Sequence, residues 1–156
     1  RKNIKKMIDF FSKKISPNEY LVVLGTGKYF DYLKDFESTQ IKIIGFKKNV
    51  IDYMFASDCY VSFSQSEGFP ISVIEALSCN LKLLVSDIPS HKEFFELNRD
   101  SYLGEFFNEN DLPQKFCLIR KNEKISSRLI YENYLTNSIM MNAYQKLYYN
   151  LYVFGD

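Results

Sequence analysis

Short apolar runs alternating with amphipathic stretches at helical spacing predict an α/β fold. The expected architecture is a doubly wound, Rossmann-like parallel sheet with helices on both faces and a helical C-terminal tail. Three observations point there: apolar runs at 20–24, 41–44, 59–64 and 81–86, glycine-bearing turns behind two of them, and amphipathic segments of helical length between them. No internal repeat, low-complexity tract or strong linker interrupts the 156 residues, a length that suits one domain.

Taken in order, Ile4, Met7, Ile8, Phe11 and Ile15 recur at helical spacing and predict a helix over 3–14, ended by Ser16-Pro17-Asn18. Tyr20 to Leu24 reads as a strand buried on both faces. Gly25-Thr26-Gly27 turns the chain into a helix over 29–36. Ile41 to Ile44 is a strand closed by Gly45-Phe46, and Val50 to Phe55 a short helix. Cys59 to Ser64 is a strand, followed by a Gly-Phe-Pro turn and a helix through Ser78. Asn80 is expected in a left-handed helix cap. Leu81 to Ser86 is a strand, Ser90 to Leu97 a helix and Ser101-Tyr102-Leu103 a last short strand, with helices over 110–119, 126–134 and 136–152.

Composition removes several classes. A net charge of +1 gives no reason to expect a nucleic-acid partner. No apolar run reaches the ~18 residues of a membrane span, and no secretory signal is visible. Three widely spaced cysteines, Cys59, Cys79 and Cys117, fit neither a disulfide framework nor a zinc site, and each reads as a small core residue in a reducing, cytoplasmic setting. The chain opens on Arg1 and enters a helical pattern at once, which reads as part of a longer protein.

The segment from Ser64 to Leu77 carries the most chemistry. It places Glu67 and Glu75 eight positions apart around Gly68-Phe69-Pro70. Gly68 allows close approach of a ligand, and Pro70 suits the first position of a helix. The amides of Ile71 and Ser72 are then expected to be unpaired at a helix N-terminus, which attracts phosphate. Two hydrogen-bond acceptors beside an anion site suit hydroxyls beside phosphate, the chemistry of a nucleotide sugar. Gly25–Gly27, Gly45–Lys47 and Ser64–Pro70 all follow predicted strand ends, so they should line one rim. Phe30 stands where the dinucleotide fingerprint needs its third glycine, which speaks against a nicotinamide cofactor.

The Glu67-x7-Glu75 pattern resembles the donor-site signature of retaining GT-B-type glycosyltransferases, family 4, the glycosyl transferases group 1. The resemblance extends over about residues 2–96. It implies that Glu67, the candidate catalytic residue, faces the donor sugar and that Glu75 holds the ribose hydroxyls. It further implies that Ser64, Gly68, Phe69, Pro70, Ile71 and Ser72 border sugar and diphosphate, and that Gly25 and Gly27 approach the phosphates. Phe46 and Lys47 would lie by the nucleotide base. Lys2-Asn3 resembles the family's Lys-Gly, so Lys2 would neutralise diphosphate together with an Arg on a strand upstream of this chain.

No metal site or cofactor is expected. There is no Asp-x-Asp, and a positive helix end with Lys2 would stabilise the leaving group. The single histidine, His91, has no motif partner for a hydrolytic triad, and Glu93 would brace the loop before it. Lys5, Lys6, Lys13 and Lys14 face away from the apolar side of the first helix. Peripheral association with anionic membrane is one expectation for such a helix, packing on the sheet the other.

The implied function is the donor-binding half, residues 1–156, of a glycosyltransferase. The whole enzyme would transfer a sugar with retention from a nucleotide-diphosphate sugar to a glycan or lipid-linked acceptor, in cell-surface polysaccharide or lipopolysaccharide synthesis. It would work in the cytoplasm or at the inner face of the membrane. The acceptor domain and the domain's first strand would lie outside the chain. The alternative is a non-catalytic nucleotide-sugar-binding or scaffold domain of the same fold. Pro70 and Asn80 stand where the family commonly has Gly, and Lys82 where it commonly has Pro.

Overall fold

The computed structural model describes residues 2–97, 102–123 and 126–154, with side chains to residue 146. Helix α1 (Ile4–Lys14) precedes strand β1 (Leu21–Leu24), α2 (Phe30–Lys34), β2 (Ile41–Gly45) and α3 (Val50–Phe55). Then follow β3 (Cys59–Ser62), α4 (Ile71–Ser78), β4 (Lys82–Ser86), α5 (Pro89–Glu96), β5 (Gly104–Phe107) and α6 (Leu112–Lys121). A short helix, α7 (Arg128–Ile130), runs into a wider π-helical turn, Tyr131–Leu135, before α8 (Asn137–Phe154). Among the described residues no helix is long and apolar enough to cross a membrane.

Every strand pair is parallel, as the α/β reading requires. Hydrogen bonding divides the strands into two sheets, β1–β2 and β3–β4–β5. They are joined by a core rather than by a ladder. Ile8 and Phe11 of α1 pack with Leu21, Val23, Ile41 and Ile43 of the first sheet and with Phe63, Leu84 and Phe107 around the second. The opposite face of β4 presents Leu83 and Val85 to Val73, Ala76 and Leu77 of α4, Phe94 of α5 and Ile130 of α7. Leu83, Leu84 and Val85 have no exposed surface, so this apolar run is buried on both faces and has helices on each side.

The run before Gly25 behaves differently. Leu21 and Val23 are buried, but Val22 is 40% exposed and Tyr20 lies outside the strand at 65%. β1 is thus covered by the shared core on one face, where α1 packs, and is partly open to solvent at Val22 on the other. The last strand also differs from the expected Ser101–Leu103, of which Ser101 lies outside the described residues. Leu103 accepts the Leu83 amide at 2.9 Å. Gly104 then passes opposite Leu83 at φ 143, where a Cβ would stand 2.0 Å from the Leu83 carbonyl oxygen. Only glycine makes that approach, and the strand continues through Phe107.

Helix α4 closes as expected. Asn80 adopts φ 61, its amide bonds Leu77 O at 3.0 Å, and the Leu81 amide bonds Ala76 O at 3.0 Å. The pair of bonds is a Schellman motif. Asn80 Oδ1 also accepts from the Arg128 amide at 3.2 Å and Ser127 Oγ at 3.3 Å, so one residue ends α4 with its backbone and starts α7 with its side chain. Cys79 is buried and Cys59 packs against the core, with its thiol pushed up to about 12 by burial. Cys117 is exposed, against expectation, because α6 turns Phe116 and Ile119 inward. In the tail, Met141 and Tyr144 are exposed, while the side chains of Tyr148, Tyr149 and Tyr152 lie outside the description.

Candidate functional site: a strand-end rim around Glu67

The N-terminal end of α1 gathers three loops that follow strands. Lys2 Nζ bonds Glu67 Oε1 at 2.6 Å, in the β3–α4 loop. Lys5 Nζ sits 4.5 Å from the ring centroids of both Tyr29 and Tyr32, just beyond β1. Lys6 pairs with Glu109, just beyond β5. The far end of α1 meets the end of α6, where Arg120 donates to Lys14 O at 3.0 Å. The loops at the carboxyl ends of both sheets therefore face one place, where ligands bind in folds of this kind. Gly25 and Gly45 belong to the same rim: both have positive φ, 109 and 80, and the Gly25 amide bonds Gly45 O at 2.7 Å.

Glu67 is the best-held group at this rim. Its side chain is 5% exposed and its Oε1 accepts from both Lys2 Nζ and Ser64 Oγ, each at 2.6 Å. A carboxylate this buried needs such charge-assisted partners. Lys2 itself is 61% exposed, so its remaining ammonium protons face solvent. Asn3, directly after it, takes φ 51, a conformation that glycine adopts freely and asparagine tolerates. That is the local geometry implied by the Lys-Gly of the resemblance.

Helix α4 starts one residue later than expected. Pro70 caps it at φ −81, ψ 81, and the Ile71 amide closes an inverse γ-turn onto Phe69 O at 3.0 Å. The Ile71 donor is thus occupied, a correction to the expected pair of open amides. The Ser72 amide has no acceptor one turn back, while Ser72 Oγ bonds Tyr60 Oη at 2.8 Å, which fixes the helix start against β3. Phe69 and Ile71 are 52% and 63% exposed, and a Cβ on Gly68 would meet nothing within 4 Å, so the turn stands open. Glu75 is half-buried one turn into α4; its carbonyl accepts from Ser78 Oγ at 2.7 Å, and among the described residues no hydrogen bond or ion pair engages its carboxylate.

Phe46 is 68% exposed and Lys47 half-buried after β2, on the rim but without a bond to the Glu67 cluster. Gly27 accepts the Phe30 amide at 2.9 Å in the turn that leads into α2.

Sequence reasoning named Ser64 but missed its serine neighbours, Ser62 and Ser86. Ser62 Oγ donates to Ser64 Oγ at 3.2 Å, and Ser86 Oγ donates to Ser64 O. His91 donates from Nδ1 to Ser86 O at 2.9 Å. The signal available was the run of serines at the ends of β3 and β4. Glu93 does not brace the loop as expected: it is exposed, because α5 begins at Pro89 and turns His91 and Phe94 inward. The loop is held instead by His91 and by a 2.6 Å ion pair between Lys92 and Asp87.

Residues 1–136 match the model of one protein family, glycosyl transferases group 1. The chain belongs to this family. Relatives of this glycosyl transferases group 1 chain include the N,N'-diacetylbacillosaminyl-diphospho-undecaprenol alpha-1,3-N-acetylgalactosaminyltransferase of Campylobacter jejuni, 29% identical over 97 residues. That match covers 62% of this chain and 26% of the relative. The uncharacterized glycosyltransferase MJ1059 of Methanocaldococcus jannaschii is 34% identical over 76 residues, 46% of this chain and 19% of the relative. A crystal structure of Anabaena Alr3699/HepE in complex with UDP superposes at TM-score 0.72 and 17% identity, over 94% of this chain and 45% of that one. A second, with UDP and glucose, gives 0.65 and 18%, over 94% and 44%. These superpositions establish the α/β fold. The chain spans less than half of either solved protein, and its matched stretches about a quarter or less of the curated relatives.

Proposed function

We propose that this chain is the donor-binding half of a retaining glycosyltransferase, completed by an acceptor domain and by a strand from outside residues 1–156. The observation that carries the reading is the Lys2–Glu67–Ser64 cluster beside the open Gly68–Pro70 turn and a Glu75 carboxylate that no described residue engages. Lys2 and the Ser72 amide are placed to meet the donor diphosphate, and Glu75 to accept from the ribose hydroxyls. Glu67 orients the donor sugar. As the bond between the anomeric carbon and the diphosphate oxygen breaks, charge grows on that oxygen, where Lys2 and the N-terminal end of α4 stabilise it. No metal is required in this scheme.

The division into β1–β2 and β3–β4–β5 supports the missing strand, since a strand between β1 and β3 would make one sheet. The Anabaena structure supports a nucleotide diphosphate as the ligand class. The Campylobacter relative is named for a lipid-linked acceptor, which supports a glycan or lipid-linked acceptor; cell-surface glycan synthesis at the cytoplasmic face of the membrane is the setting we propose for it.

The test is calorimetric titration of UDP and of GDP into the protein as its gene encodes it, wild type and Glu75→Ala. Binding of one nucleotide, weakened about tenfold in the variant, is the expected outcome, since a lost hydrogen bond to a charged acceptor costs about 1.5 kcal/mol. Absence of binding to either nucleotide sinks the proposal.

A further inference from the structure

We propose that His91 is a positioning residue for Glu67, acting through a buried hydrogen-bond relay that crosses from β4 to the β3–α4 loop. The inference rests on the donor-site reading above and extends it to groups which that reading does not use. The relay runs from His91 Nδ1–H to Ser86 O at 2.9 Å, from Ser86 Oγ–H to Ser64 O, and from Ser64 Oγ–H to Glu67 Oε1 at 2.6 Å. Ser62 Oγ donates to Ser64 Oγ at 3.2 Å and completes the serine's coordination. His91 and Ser64 are each 1% exposed. In so dry a setting hydrogen bonds are strong, and Ser86 and Ser64 each join one bond to the next through their own covalent frames.

Two features argue that the histidine does more than fill space. A backbone carbonyl can only accept, so the Ser86 bond fixes the proton on Nδ1 and leaves Nε2 as a lone pair. That Nε2 is buried without a hydrogen-bond partner among the described residues, and a buried acceptor left unpaired is destabilising. An apolar side chain would avoid that penalty but would give up the donor to Ser86 O, so the histidine is held here for that bond despite its orphan nitrogen. In addition, His91 feels the charges of both Glu67 and Lys2, which places it within electrostatic reach of the pair it would orient. Burial lowers its pKa, so near neutral pH it remains the neutral Nδ1–H donor the relay needs.

The experiment uses the gene-encoded protein, wild type and Ser64→Ala, His91→Gln, the double variant, Ser86→Ala and His91→Asn. Asparagine can keep a donor near the Nδ1 position, whereas glutamine displaces it. UDP, GDP, UDP-glucose, UDP-N-acetylglucosamine, UDP-N-acetylgalactosamine and GDP-mannose are titrated as probes. The readout is the ratio of nucleotide-sugar to nucleotide affinity, which isolates the sugar end that Glu67 faces. If the relay operates, Ser64→Ala, Ser86→Ala and His91→Gln each lower that ratio about tenfold, and in Ser86→Ala and His91→Gln, which lie outside the donor site, nucleotide affinity stays within about twofold. The double variant loses no more than the worse single one, because both cuts break one chain, and His91→Asn stays within about threefold of wild type. Multiplying losses in the double variant, or no loss in any single variant, overturns the relay. Ser86→Ala keeps the test decisive if His91→Gln fails to fold. Wild-type protein that binds none of the six probes overturns the donor-site reading itself, and the relay with it.

Discussion

A buried carboxylate is stable only in the company it keeps, and Glu67 keeps Lys2 on one side and Ser64 on the other. The same logic applies with opposite charge to His91. Burial, its largest influence, lowers its pKa below the ordinary 6.5, only partly offset by the bond to Ser86. A folded-state pKa below the unfolded one means that stability from this residue is present above 6.5 and is lost as pH falls through the lowered value. Wild-type Tm should therefore fall more between about pH 7 and about pH 5 than that of His91→Asn, measured by thermal melts across that range. Equal slopes would refute the assignment. The two glutamates were legible in the sequence because their spacing around Gly-Phe-Pro is specific. Ser62, Ser86 and His91 were not, because serines at strand ends are common and only the crossing from β4 to the β3–α4 loop brings them together.

Elements here are punctuated by asparagine where the family resemblance implies glycine. Asn3 and Asn80 are the non-glycine residues with positive φ among those described, one opening α1 and the other closing α4. That departure was readable at Asn80 as a left-handed cap, and the structure bears it out. What could not be read was the second task of Asn80, capping α7 through Oδ1, because the partner lies far along the chain. Asn80→Gly should keep the backbone and lose only the cap, costing about 1 kcal/mol. Asn80→Ala should lose both, costing about 2 kcal/mol. Denaturant melts of the two variants check the order, and a glycine variant less stable than the alanine one would contradict it. Gly104 is a stricter case: alanine there would drive a methyl into the Leu83 carbonyl, so Gly104→Ala should destabilise by more than about 3 kcal/mol or prevent folding.

Across the whole molecule, α1 is the beam on which two separate sheets are mounted. Its apolar face lies in the shared core, its first turn meets three strand-end loops, and its last turn meets α6. The α/β class was legible from alternation alone. The division into two ladders was not, because hydrophobic pattern records burial but not which strand edge is paired. Arg120 secures the far end by pairing with Glu19. Burial raises the Glu19 pKa, but the Arg120 guanidinium and the Ser16 amide outweigh it and hold the carboxyl below its ordinary 4.5. The stability that this pair adds is present above that value and is lost as pH falls through the lowered one. Arg120→Ala should therefore lower Tm at neutral pH, and the difference from wild type should shrink in acid. A difference that persists at low pH would assign the loss to packing. The cysteines carry a practical corollary. Cys79 is enclosed and the Cys59 thiol resists ionisation, whereas Cys117 stands exposed on α6. Within residues 1–156, a maleimide dye at neutral pH should then couple at Cys117 and spare Cys59 and Cys79. That gives the protein a native attachment point for fluorescence anisotropy or single-molecule work on donor binding, with no engineered cysteine and no change to the rim.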